Sequence, residues 1–363
     1  MTDQENTSPG ESDRTVSFFE FWPGWILYTP VVLQWIILAL RYGSLTLPFL
    51  ANPSLRLSGM VGVGKTELMN QASGKATKAI LPWIAYSVTD RPIWEQAGTC
   101  IGKAMSKDIV LPFVCKPDIG CRGVGVKLVK TSDQLEDIIA TYPKDAILLC
   151  QKLAASEAEA GIFYVRDPIS ETSSIPSMTI KTLPRITGDG VHTLGQLIEM
   201  DSRAGHLLFL YQDRHRDHWN KVPDRGEVVR LVFSASHSKG AIFKDARAHV
   251  TPALTKAIDE IMKDIPDFYY GRLDVKFPDL AALKAGKELE VVEINGASAE
   301  SIHIWDKNAK LMDAIKSLMW QYRTLFKIGA FHRKRGKKTP TIRELWHGWR
   351  LERRLSHHYP LTD

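Results

Sequence analysis

Cysteine is scarce and unpatterned in this sequence: Cys100, Cys115, Cys121 and Cys150 are the only four among 363 residues. Their separations of 15, 6 and 29 residues contain no CxxC pair, which excludes the usual zinc spacings and a disulfide framework. They read as buried thiols of a reducing compartment. Charge is missing altogether from Phe21 to Leu40, a run long enough to cross a bilayer, with Trp22, Trp25, Tyr28 and Trp35 suited to an interface. Pro23, Pro30 and Gln34 interrupt it, so a hairpin or helix covering an apolar face of the body is the competing expectation. No basic segment precedes the run and no small-residue cleavage site comes after it, so a signal peptide is not expected. Residues 1–16 are polar and acidic, with Asp3, Glu5, Glu11 and Asp13 against Arg14, and are expected to be disordered. If the run does span, the acidic N-terminus and Arg41 place the C-terminal part of the chain in the cytoplasm.

What is present is an ordinary globular composition, 44% hydrophobic and 24% charged, with a net charge of +6 weighted toward the C-terminus. The richest chemistry lies between Tyr269 and Ser301, YYGRLDVKFPDLAALKAGKELEVVEINGASAES. Two strand-like runs, Gly271 to Phe277 and Glu288 to Ile294, each set an acid among apolar neighbours: Asp274 and Glu293. A carboxylate buried in a strand is costly unless paired or bound to a cation, and Asn295 adds a neutral oxygen two residues beyond Glu293, on the same strand face. Oxygen donors without His or Cys suit Mg²⁺ or Mn²⁺ held together with substrate phosphates. The competing reading pairs Asp274 with Arg272 or Lys276.

Residues 59–66, GMVGVGKT, match the phosphate-loop pattern GxxxxGK[ST]. A working phosphate loop comes after a buried strand, whereas NPSLRLS is a poor one. The stretch LPFVCKPDIGCRGVGVKLVKT, 111–131, reads as a hairpin with Lys116 before a tip containing Gly120, Gly123 and Gly125, whose backbone N–H groups can face phosphates. A buried strand is next at Ala146–Leu153, then a Gly-Asp-Gly turn at 188–190 with Thr193 as a helix cap.

Together these motifs resemble the ATP-grasp ligases, the superfamily of D-alanine–D-alanine ligase, glutathione synthetase and cyanophycin synthetase. The pattern G-R-x-D and then E-x-N is met by Gly271, Arg272, Asp274, Glu293 and Asn295. K-P-x-x-G-x-x-G-x-G-V is met from Lys116 to Val126, and GDGxHTLxQLI from Gly188 to Ile198. The resemblance runs from about Gly62 to Asp306 and implies an α+β fold of two α/β subdomains clasping ATP. It implies Lys65 and Lys116 on phosphates beneath Gly120, Gly123 and Gly125, Gln151, Lys152 and Leu153 at adenine, and Glu159 at the ribose. Gln151 stands where the family has an acid. Metal ligands would be Asp274, Glu293 and Asn295 for Mg²⁺ or Mn²⁺. Arg272 would steady the transferred phosphate, with Ser236 and Lys239 in a loop closing over an acyl phosphate.

The implied reaction activates a carboxylate with ATP and joins it to an amine, releasing ADP and phosphate. A phosphotransferase that stops at phosphoryl transfer, a phosphate-loop NTPase using 59–66, and a membrane scaffold that retains an inactive ligase fold are the alternatives. The sequence lacks room for a full N-terminal pre-ATP-grasp domain; small-molecule or lipid-like substrates, a membrane surface and a homodimer are therefore the expected partners, and nucleic acid is not. The expected domains are a tail at 1–16, the apolar segment at 17–58, the N-terminal subdomain at 59–150, the C-terminal subdomain with the metal site at 151–327, and a basic amphipathic tail at 328–363. Within that tail HRKRGKK, 332–338, reads as a linker and TIRELWHGWRLERRL as a helix fit for an anionic membrane or for docking.

Overall fold

The computed structural model describes residues 17, 19, 20, 22–120, 123–235, 240–360 and 362. Ser236 and Lys239 of the loop expected over the acyl phosphate, Cys121 and the tail at 1–16 lie outside the described residues.

The charge-free run folds as α1, Gly24–Tyr42, ended by Gly43 in the left-handed conformation that glycine takes without strain. Its face of Leu27, Val31, Gln34 and Leu38 is buried. The chain continues through α2 (Lys65–Met69), α3 (Gly74–Ala79), β1 (Trp83–Ser87) and α4 (Ile93–Met105), then β2 (Phe113–Pro117), β3 (Lys127–Val129), α5 (Ser132–Thr141) and β4 (Ile147–Lys152). The strands form an antiparallel sheet in the order β1-β4-β2-β3, with α4 and α5 sharing its core of Ile84, Phe113, Leu135, Ile139 and Leu148. Cys100, Cys115 and Cys150 are free and buried there, as their spacing implied.

β5 (Glu159–Arg166), β6 (Ser173–Thr182) and β9 (Ile242–Asp245) join β10 (Tyr270–Lys276) and β11 (Glu290–Asn295) in a second antiparallel sheet, ordered β11-β10-β5-β6-β9. β7 (Arg185–Thr187) and β8 (Val228–Arg230) pair separately, beside α6 (Leu194–Met200) and α7 (Leu208–Arg214). Thr193 closes α6 with a reciprocal capping box through Gln196. α8 (Pro252–Lys263) covers the five-stranded sheet through Leu254, Ile258, Ile261 and Met262. α9 (Leu280–Ala285) is the helical insert between β10 and β11, ended by Gly286 at φ 65°.

α10 runs from Leu311 to Lys334 and takes α1 along its flank. Residues 328–334, read from the sequence as the start of a basic tail and linker, therefore continue this helix: Ile328, Gly329, Ala330 and His332 extend its buried face, and the chain leaves only near Gly336 at φ 84°. α11, Ile342–Ser356, begins at a Thr341–Glu344 capping box. The α+β fold of two sheets facing a common cleft is the one the motifs implied. Residues 59–66 come after a 3₁₀ turn at Arg56–Gly59 and not a strand, which removes the strand–loop–helix frame a phosphate-loop NTPase needs.

Candidate active site

A cleft of about 1030 Å³ opens between the two sheets. Its walls carry Lys65, Lys116, Gly120, Gly123, Gln151, Lys152, Leu153, Glu159, Arg272, Asp274, Glu293 and Asn295. Every described candidate from the sequence except Gly125 thus reaches one cavity. Gly125 sits behind the tip at φ 73°, where a Cβ would come within 3.1 Å of Pro117.

The acids owe their meeting to strand register. Asp274 on β10 is opposite Glu293 on β11, and Arg272 is opposite Asn295, so the side chains share one face. On the other side of β10, Asp274 pairs with Gly161 and Lys276 with Glu159, and Glu159 in turn lies opposite Lys181 of β6. A side chain on Gly161 would run into Ile302 at 2.7 Å and Asp274 at 3.3 Å, so glycine leaves the space in which the carboxylate lies. Buried Lys181 bridges the acids: its Nζ is 2.8 Å from Glu159 Oε1 and 2.9 Å from Asp274 Oδ1. Lys276 Nζ adds a contact to Glu159 at 3.1 Å. Arg272 donates through Nε and Nη2 to the two oxygens of Asp274 at 3.0 and 3.2 Å, and through Nη1 to the Glu300 carbonyl at 3.4 Å. Burial alone would raise the Asp274 pKa, but Arg272 and Lys181 outweigh it and hold the group ionised, below the ordinary carboxylate range. For Lys181 the balance is mirrored: burial lowers its pKa, and Asp274 and Glu159 more than restore it.

The opposite wall is built differently. Lys116 Nζ donates to Gln151 Oε1 at 2.7 Å and to the Val292 carbonyl at 2.8 Å, both neutral acceptors. Burial is the main reason its pKa falls to about 8, with Glu293 opposing that fall. Lys65 heads α2 and donates to the carbonyls of Pro117 and Gly120 at 3.2 and 3.0 Å, with Glu293 Oε1 3.7 Å away. Asp118 fixes this turn by accepting from the Thr66 backbone N–H at 2.7 Å and its hydroxyl at 3.0 Å. A Cβ on Gly64 would collide with that carboxylate.

The residues suit a divalent cation to the extent that their oxygens are free to reach one. Among the described residues no group of three or more His, Cys, Asp or Glu gathers as a metal cluster. The donor set is instead two carboxylates and an amide, which is what Mg²⁺ uses when phosphates and water complete its shell. Among the described residues the ion pair recorded for Glu293 is its 3.7 Å approach to Lys65, and Asn295 Nδ2 is buried without a partner, so neither side chain is tied up by a strong contact. Asp274 Oδ2 accepts one hydrogen bond and retains a lone pair. The set fits the cation.

Several groups at the cleft were not singled out from the sequence. Lys181 carries no motif of its own, because only the pairing of β5 with β6 places it beside Glu159. Tyr28 of α1 donates to the Glu300 carboxylate, and both residues line the cleft. From the C-terminus, Glu352 of α11 accepts from the Gly62 N–H at 2.8 Å, Tyr359 donates to the Ile119 carbonyl at 2.8 Å, and Thr362 donates to the Gly123 carbonyl at 2.5 Å. Arg214 Nε donates to the Thr362 carbonyl at 3.2 Å. No sequence pattern announces contacts across such separations.

No protein-family model matches the chain, and no curated protein matches it. Among solved structures it is similar to a bifunctional glutathione synthetase from Pasteurella multocida, with 16% identity and a TM-score of 0.33 over 68% of this chain. It is also similar to the D-alanine–D-alanine ligase of Bacillus anthracis, with 14% identity and a TM-score of 0.42 over 78% of this chain and 72% of that one. The same ligase complexed with ATP gives 13% identity and a TM-score of 0.39 over 74% of this chain and 70% of that one. The chain spans 35% of the glutathione synthetase.

Proposed function

We propose that the protein is an ATP-dependent carboxylate–amine ligase of the ATP-grasp type, working in the cytoplasm. The observation that carries this reading is the convergence on one cleft of two lysines, Lys65 and Lys116, with Asp274, Glu293 and Asn295. Phosphoryl transfer depends mostly on positioning and charge neutralisation, and those are the parts assembled.

In this reading ATP lies in the cleft with its adenine against the β4 exit at Gln151, Lys152 and Leu153. Lys65 and Lys116 neutralise its α- and β-phosphates, and the Gly120–Gly125 tip covers them. Glu159 is held by Lys181 and Lys276, so it orders this wall and meets the ribose only at the cost of those contacts. Asp274, Glu293 and Asn295 would hold a Mg²⁺ ion, which when bound would supply further neutralisation of the phosphate charge. A substrate carboxylate oxygen attacks the γ-phosphorus, the bond to the β-phosphate oxygen breaks, and ADP leaves. Arg272, fixed by Asp274, steadies the acyl phosphate and then the tetrahedral oxyanion. An amine nitrogen then attacks the acyl carbon, loses a proton, and phosphate departs with the C–O electron pair. Ser236 and Lys239 belong to the loop assigned to cover this step.

The test is an ADP-release screen over amino acids, small peptides and acyl amines, comparing wild type with Glu293→Gln. A substrate that releases ADP and yields an amide is expected, with the variant slower by about a hundredfold or more. An unchanged rate in a folded Glu293→Gln protein overturns the reading, and phosphorylated product without amide replaces the ligase by a kinase.

A further inference from the structure

We propose that the outer face of α1 lies flat on an anionic lipid bilayer and so holds one end of the cleft at the membrane surface. This goes beyond the ligase reading and does not depend on it.

α1 presents two faces of nearly equal hydrophobicity, and only one is used. Leu27, Val31, Gln34 and Leu38 pack inward. On the other side Trp25 is 71% exposed, Leu33 57%, Ile37 64% and Leu40 79%. Spacings of eight, four and three residues align these four on one stripe, with Val32 and Ile36 beside it. Arg41 is the only charged residue of the helix. A patch of this kind on a soluble body marks an interaction surface.

Cations of α10 flank the helix on the side where it packs. The Gln34 amide sits 2.9 Å from the Met319 carbonyl and 3.2 Å from the Arg323 guanidinium of α10. Arg323 belongs to an exposed α10 stripe with Lys316, Trp320 and Lys327, at separations of seven, three and four residues. At the other end Arg333 donates to the Tyr42 carbonyl at 2.7 Å. An exposed apolar stripe headed by Trp25, on a helix flanked by Arg323 and ended by Arg41 and Arg333, matches the acyl and headgroup layers of an anionic leaflet. A second copy of the chain fits poorly, because a two-fold contact sets a patch against itself and would oppose these cations with their own kind.

The helix lies on the surface and does not cross it. It is 19 residues long and apolar enough to span. Spanning would strip its inner face from α10 and break the hydrogen bond from Tyr28 to Glu300. Gly24 and Tyr28 line the cleft, next to an apolar wall of Phe233, Phe243, Ile302 and Trp305. The same helix therefore meets lipid on one side and borders the cleft on the other, which suits a substrate with an apolar part.

The experiment is vesicle co-sedimentation of the full chain, with phosphatidylcholine alone and mixed with phosphatidylglycerol. Binding of a fluorescent ATP analogue is measured in parallel. Wild type is expected to pellet with the mixed vesicles and more weakly with phosphatidylcholine. Leu33→Glu/Ile37→Glu, altered only at exposed positions, is expected to lose about a hundredfold in vesicle affinity while binding the analogue as wild type does. Arg41→Glu/Arg323→Glu keeps the apolar stripe and is expected to lose the preference for phosphatidylglycerol. Wild type remaining in the supernatant, or pelleting equally in the Leu33/Ile37 variant, overturns the proposal. So does a lipid-free dimer that this variant dissociates, which would give the face to a second copy. Failure of wild type to bind the ATP analogue would overturn the ligase reading and leave the sedimentation result standing.

Discussion

The two walls of the cleft solve the burial of charge in opposite ways. On the five-stranded sheet, acids and bases come in contact: Asp274, Glu159, Lys181, Arg272 and Lys276 neutralise one another within about 3 Å. On the four-stranded sheet, Lys116 is buried against an amide and a backbone carbonyl. A network of paired charges is rigid and insensitive to pH near neutrality. A buried cation with neutral partners is electrostatically incomplete, and its deficit is what an incoming polyanion can supply.

Removing one member from each wall is the sharpest way to break this contrast. Lys181→Met leaves Asp274 and Glu159 buried with fewer cations, and a loss of about 3–5 kcal/mol in chemical denaturation is expected. Lys116→Met leaves only neutral acceptors unpaired and is expected to cost about 1–3 kcal/mol, while abolishing tight nucleotide binding. Equal stability losses would erase the distinction between the walls.

A pH series sharpens it. With a folded pKa of about 8 against the ordinary 10.5 of lysine, the ammonium of Lys116 is disfavoured by folding. Its contribution to stability is therefore greatest above about 10.5 and is lost as pH falls through about 8, below which it is constant. Nucleotide affinity has the opposite sense, since phosphates require the ammonium: titration calorimetry should show proton uptake on binding and an affinity that declines as pH rises through about 8. Gln151→Glu places a carboxylate where Lys116 now finds an amide and should move that decline to higher pH; an unmoved profile would show that another group titrates. The smallest effect is expected from Thr193→Ala, remote from both walls, which removes half of a capping box and should cost about 1 kcal/mol in thermal melts with catalysis unchanged.

Much of the candidate site was legible in the sequence because the proposed chemistry demands particular residue types at fixed spacing. Asp274, Glu293 and Asn295 stand on two strands joined by a short helix, and Lys116 stands before a glycine-rich tip, so local order places them. Lys181 escaped because a lysine in a strand looks solvated until the neighbouring strand shows Glu159 opposite. The boundary expected at 327/328 falls inside α10 because the basic letters of 332–338 mask the apolar positions that continue its face. For α1 the letters allowed either a membrane or a packed body; which face each takes depends on α10, far along the chain.

The last residues of the described chain join parts that are otherwise independent. Tyr359 and Thr362 grip the carbonyls of the glycine-rich tip, while Arg214, from the small unit beside β7 and β8, grips Thr362. Displacing that tip must either peel the terminus away or drag the small unit with it. The roof of the cleft and this distant unit are thereby geared to each other through Tyr359 and Thr362.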